Sequence, residues 1–128
     1  MLQIHLLGGL QLIHDGQPLR YTGLPKTLPL WAYLLLNAGQ PLARPTLAYT
    51  LWPDVGEEEA RSNLRRHLYD LRRALPPAPD DRPWLLADNS FVEWNSHADY
   101  WLDVSSFVSL SRDADRLSDA LQLYRGDL

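Results

Sequence analysis

The sequence has no cysteine. That absence excludes disulfides and every metal or redox site built on thiolates, and it fits an intracellular protein. Lysine is almost missing too: Lys26 stands alone beside eleven arginines. No apolar run is long enough to span a bilayer; the longest, "LPLWAYLLLNAG", is short and contains a proline and a tryptophan. No charged opening segment leads to a small-residue cleavage site, so the expectation is a cytoplasmic chain with no membrane partner. Catalytic signatures are absent as well, with no G-x-S-x-G and no glycine loop of the phosphate-cradling kind. The paired acids Asp80 and Asp81 lie in a proline-rich connector without a rigid scaffold. His5, His14 and His97 are isolated, so neither a metal nor a cofactor is expected, and the chain does not read as an enzyme.

What is present suits one ordinary domain of 128 residues. A 45 % hydrophobic content with five Trp, six Tyr and two Phe is enough for a buried core. The formal charge is −4, but it is unevenly spread. Five arginines crowd between Arg61 and Arg73, where Asp70 is the sole acid, giving a local balance of about +4. From Asp80 onward acids outnumber arginines. Phosphate contact depends on local charge, so the acidic total does not decide the fate of that segment.

The patterning changes along the chain. Leu2, Ile4 and Leu6 alternate with polar residues, Leu10 and Leu12 resume the alternation, and Asp15-Gly16 is a tight-turn signal before "QPLRY". These predict a small antiparallel sheet. From Thr27 the period becomes helical: Trp31, Leu34, Leu35 and Ala38 form one stripe, closed by Asn37-Ala38-Gly39. Pro25 and Pro29 confine the helix start to about Thr27. A shorter helix follows in "RPTLAYTLWP", with Leu47 and Leu51 inward and Pro53 at its end.

The third helix is predicted over Glu57 to Leu75. Ala60, Leu64, Leu68, Leu71 and Leu75 share an apolar stripe. Ser62, Arg66, Tyr69 and Arg73 lie opposite it, with Arg61, Arg65 and Arg72 along one flank. Glu57, Glu58 and Glu59 occupy the first turn, where carboxylates favour the positive end of the helix dipole. His67 sits at the stripe's edge and reads as a packing histidine, and Trp31 and Trp52 as core. "WLLADNSFVEWN" predicts a hairpin with its turn at Asp88-Asn89-Ser90. Trp84, Trp94 and Trp101 read as hairpin and junction packing or as a contact with a further segment. In the tail, Leu117, Ala120, Leu121 and Tyr124 repeat at helical spacing, as if a helical-repeat module begins there. Sheet, helix, short helix, long basic helix and hairpin is the order of an α+β winged helix-turn-helix with an N-terminal antiparallel sheet.

With that order in place, "LLNAGQPLARPTLAYTLWPD", "EEEARSNLRRHLYDLRRAL", "WLDVSSF" and "ALQLYRGDL" resemble the SARP-type bacterial transcriptional activators. The likeness runs from Leu2 to Leu128. It implies an OmpR-like winged-helix DNA-binding domain over 1–96, followed over 97–128 by the start of a helical, TPR-like bacterial transcriptional activator domain. It also implies sequence-specific binding of double-stranded DNA at promoter direct repeats, as a regulator of transcription and an activator in type. On that resemblance the third helix enters the major groove through Ser62, Arg65, Arg66, Tyr69, Arg72 and Arg73. Asn89 and Ser90 are the wing candidates, and the turn Pro53 to Glu58 would face RNA polymerase. A monomer off DNA and a head-to-tail pair on it are the corresponding assembly states.

A solvated helix with ordinary surface pairs such as Glu57–Arg61 is the competing account of the arginines. Asp70 beside the arginines, and Asp88 and Glu93 in a hairpin without Arg or Lys, support an alternative of another class. That alternative is a winged-helix protein-interaction module of a larger signalling protein that no longer binds DNA.

Overall fold

The computed structural model describes residues 1–7 and 9–103 of the chain. The tail helix and most of the second module expected from residue 97 onward lie outside the described residues. The described part divides into two compact units, one formed by residues 1–22 together with the segment from Asp99, the other by Gly23–Ala98.

In the first unit, strands β1 (Leu2–His5), β2 (Gln11–His14) and β3 (Gln17–Leu19) pair antiparallel in sequence order. The β2–β3 turn is the Asp15-Gly16 pair, both in the left-handed region with φ of 52° and 81°. A two-residue turn of this hand matches the twist of the strands it joins. The sheet is not purely antiparallel as expected. A strand β7 (Tyr100–Leu102) lies parallel to β1, with Leu2, Gln3 and Ile4 opposite Tyr100, Trp101 and Leu102. The reason is the free edge of β1, whose unpaired backbone groups accept a partner from far along the chain. The carboxylate of Asp103 extends this edge by accepting from the backbone N–H groups of Leu6 and Leu7, both at 3.0 Å. Leu2, Ile4, Leu6, Leu12 and Leu102 are all buried.

In the second unit, a 3₁₀ turn (Pro25–Thr27) leads into α1 (Leu28–Leu36). Pro29 sits in the first turn of α1, where its missing N–H costs nothing. Leu28, Leu30, Trp31, Ala32, Leu34 and Leu35 are buried, so this helix is apolar nearly all round and serves as the unit's centre. Ala38 of the expected stripe falls just beyond it, because the Asn37 side chain bonds back to the Tyr33 carbonyl at 2.8 Å. Gly39, at φ 83°, then turns the chain and donates its N–H to the Trp94 carbonyl.

A two-residue strand β4 (Leu42–Ala43) follows, then α2 (Arg44–Leu51) and α3 (Glu57–Ala74). Leu47 of α2 is fully inward, while Leu51 is only half-buried. The hairpin forms as predicted from β5 (Leu85–Ala87) and β6 (Phe91–Trp94), and β4 joins β6 to give the order β4-β6-β5. Trp94 is fully buried, with its ring 6.2 Å from Trp31 and stacked at 5.9 Å on Trp84. The Trp84 indole N–H donates to the Pro76 carbonyl, fastening the proline connector to the hairpin. These aromatic contacts link α1 to the hairpin.

The apolar stripe of α3 is inward as its spacing demands: Ala60, Leu64, Leu68 and Leu71 are at most 5 % exposed, and Leu75, past the helix end, is half-buried. Leu71→Ala is expected to cost about 2–5 kcal/mol, the range for emptying a core leucine site. Leu75→Ala should cost clearly less. Urea denaturation of the two variants checks the order.

Candidate nucleic-acid interface

α3 carries its charges in an orderly way. Three glutamates fill the first turn and Arg72 and Arg73 the last, each sign at the end of the helix dipole that favours it. With the leucine stripe inward, Ser62, Arg65, Arg66, Tyr69, Arg72 and Arg73 are all exposed. Arg61 pairs with Glu57 at 2.8 Å, an i, i+4 surface bridge worth a few tenths of a kcal/mol at most. Among the described residues, no carboxylate lies within ion-pairing distance of Arg65, Arg66, Arg72 or Arg73. One Arg66 N–H group donates to Asn63 Oδ1 at 3.1 Å, and the Arg73 guanidinium lies over the Tyr69 ring, 5.8 Å from its centre.

The helix is held in place by a buried polar node. Thr27 is fully buried, and its hydroxyl donates to Asp70 Oδ2 at 2.8 Å while lying 2.8 Å from His67 Nδ1. A hydroxyl has one proton to give, so His67 must donate from Nδ1 to the Thr27 oxygen. The same Asp70 oxygen accepts the Leu24 backbone N–H at 2.7 Å. His67 is itself buried and stacks on Trp52, ring centres 5.4 Å apart, which agrees with a packing histidine. Burial pushes its pKa below 6.5, the Arg66 charge adds to the effect, Asp70 opposes it, and Lys26 adds a little more. Asp70, the acid beside the arginines, is spent on fixing α3 to the segment before α1.

On the other side, α3 faces the hairpin turn across an open groove of about 740 Å³. Arg61, Arg65, Leu68, Tyr69 and Arg72 form its α3 wall, and Arg44, Pro45, Asn89 and Ser90 form the other. Asp88 is turned into the hairpin, where its Oδ1 accepts from the backbone N–H groups of Ser90 at 2.6 Å and Phe91 at 3.0 Å. Arg44 ties α2 to this turn: its Nε donates to the Asp88 carbonyl at 2.7 Å and its backbone N–H to the Ser90 carbonyl at 3.0 Å.

The structure thus gathers Arg65, Tyr69, Arg72, Asn89 and Ser90 around one groove. Ser62, Arg66 and Arg73 lie outside that lining, on the exposed face of α3. Sequence reasoning missed Arg44. The available signal was an arginine just ahead of the proline that opens the short helix, in a hairpin-bearing protein whose hairpin has no cation of its own.

No family model matches the chain. It is 33 % identical over 86 residues to the transcriptional regulatory protein EmbR of Mycobacterium bovis and of Mycobacterium tuberculosis, a match covering 67 % of this chain and 22 % of the relative. The solved structure of Mycobacterium tuberculosis EmbR in complex with a low-affinity phosphopeptide matches with a TM-score of 0.58 at 30 % identity. That match covers 73 % of this chain and 25 % of that one. The chain is a distant homologue of EmbR, a SARP-family regulator. The resemblance drawn from the sequence therefore holds, and the N-terminal sheet, three helices and hairpin agree with the matched structure. The chain spans about a fifth of the length of the curated EmbR proteins it matches.

Two outcomes test the node behind the EmbR-like helix. Asp70→Ala removes the carboxylate to which the buried Thr27 hydroxyl and the Leu24 N–H both donate and should cost about 1–3 kcal/mol in urea denaturation. A surface acid without such partners would cost within about 0.5 kcal/mol. For His67 the folded-state pKa lies below the unfolded value of 6.5. As pH falls below that value the unfolded chain takes up a proton that the folded chain refuses, so stability drops until the folded pKa is passed. The loss of unfolding free energy between pH 7 and pH 5.5 should be smaller in His67→Gln than in the parent.

Proposed function

We propose that this chain binds double-stranded DNA sequence-specifically as a transcriptional regulator, an activator in type, with α3 in the major groove and the hairpin as the wing. One observation carries the reading: α3 turns its leucines into the core and presents Arg65, Arg66, Arg72 and Arg73 outward without carboxylate partners among the described residues. Homology to a named transcriptional regulator supports it. Arginine suits the task, since its planar fork binds guanine O6 and N7 bidentately and also pairs with phosphate.

In this reading residues 1–96 are the DNA-binding module and 97–128 open a helical activator domain, with Tyr100–Leu102 reaching back to β1 at the junction. The turn Pro53 to Glu58, exposed except at Val55, is the surface offered to RNA polymerase. Binding to direct repeats would place two copies head to tail, and the free chain is a monomer. The interaction-module alternative drew on Asp70, Asp88 and Glu93, and the first two are committed to internal hydrogen bonds. No observation favours it over DNA binding.

Selection from a random duplex pool is the direct test and yields the site at the same time. Affinity for the recovered duplex should fall steeply with salt, with a log–log slope of roughly −3 to −5 for four or five neutralised phosphates. Arg66→Ala combined with Arg73→Ala should remove the sequence preference. Absence of duplex binding at low salt, or a double variant that binds like the parent, refutes the reading.

A further inference from the structure

The exposed side of α3 is two rows of residues with different surroundings. Arg61, Arg65 and Arg72 stand at i, i+4 and i+11, with the buried Leu68 at i+7 beneath them, and form the wall of the groove. Ser62, Arg66, Tyr69 and Arg73 repeat at the same spacing one residue later, about 100° further round the helix. The first row looks across a concave space at Arg44, Asn89 and Ser90. Of the second row only Tyr69 lines the groove, and Ser62, Arg66 and Arg73 form an exposed ridge outside that lining.

From this we infer a division of labour within the proposed DNA contact, and it rests on that DNA reading. The groove, through Arg44, Arg65 and Arg72, grips one DNA strand by its phosphates. The ridge, through Arg66 and Arg73, reads base edges. Shape separates the two tasks. Base edges form the floor of a channel about 12 Å wide and 8.5 Å deep, reached by a projecting ridge and not from inside a recess. A sugar–phosphate strand stands up at the channel's rim, and a recess with cations on both walls receives it.

The local bonding agrees. Arg44 spends Nε on the Asp88 carbonyl, so its guanidinium is held in the groove with its remaining N–H groups available. On the ridge both guanidiniums are braced by neighbours, Arg66 by Asn63 and Arg73 by the Tyr69 ring. A braced planar fork suits bidentate recognition of one base, whereas a phosphate requires only nearby positive charge. The hairpin turn then contributes Asn89 and Ser90 to a backbone contact shared with α3.

The test uses the 128-residue chain with two labelled duplexes: one recovered by selection with the parent chain, and one of equal length and composition with its sequence shuffled. Arg72→Ala and Arg44→Ala should weaken both duplexes by the same factor and make the salt slope shallower by about one each. Arg66→Ala should cut the ratio between the duplexes by about 10- to 100-fold, with a smaller change in slope. Conservative variants separate contact from folding. Arg72→Lys should keep the parental slope, because a point charge suffices for phosphate, while Arg66→Lys should not restore discrimination. If Arg72→Ala alters the preferred sequence, or Arg66→Ala and Arg72→Ala behave alike, the division is overturned and DNA binding stands. If the parent binds neither duplex at low salt, DNA binding itself is overturned and the division with it.

Discussion

Burial of one leucine stripe decides the chemistry of the other side of α3. An α-helix offers about 100° per residue, so Leu64, Leu68 and Leu71 cannot enter the core without turning Arg65, Arg66, Arg72 and Arg73 to water. No separate device is needed to expose the guanidiniums. The packing that stabilises the helix also orients them, so substitutions in the stripe would disturb fold and contact surface together. The Thr27–His67–Asp70 node adds what a leucine stripe lacks, a directional restraint on rotation and sliding.

An acidic protein can present a basic face because three of the acids nearest that face are already engaged. Glu57 is bonded to Arg61, Asp70 to Leu24 and Thr27, and Asp88 to its own hairpin turn. Each carboxylate meets donors of its own rather than the four outward guanidiniums. Beyond roughly 8–10 Å, salt screens what remains of their field at exposed positions. Net charge, at −4, therefore describes the whole chain and not the surface that matters.

Much of this was legible in the sequence, and the exceptions share a cause. The stripes of α1 and α3, the Asp15-Gly16 turn and the Asp88–Ser90 hairpin turn are written in local spacing and turn chemistry, and they stand where expected save for Ala38 and Leu75, which fall just past their helix ends. Strands β4 and β7 were not foreseen, since two or three residues acquire strand character only from the partner they meet. The family resemblance implies that a new module starts at residue 97, yet Tyr100–Leu102 completes a sheet. The partner of Asp70 was equally hidden, because Thr27 lies 43 residues away. Of the candidate site, the exposed row on α3 was readable from period alone, while Arg44 and the groove needed the hairpin in three dimensions.

The parallel pairing of β1 with β7 has a consequence for how the chain comes to be folded. Leu6 and Asp103, bonded at the end of that pairing, are 97 residues apart. On the ribosome the first hairpin can zip as soon as it emerges, but its outer edge stays bare until nearly all of the described chain has been synthesised. Closing so long a loop ranks among the slower events open to a small protein. Throughout that interval the molecule carries an unsatisfied strand edge near its amino end, an invitation to mispair with nascent neighbours that vanishes once the last strand docks.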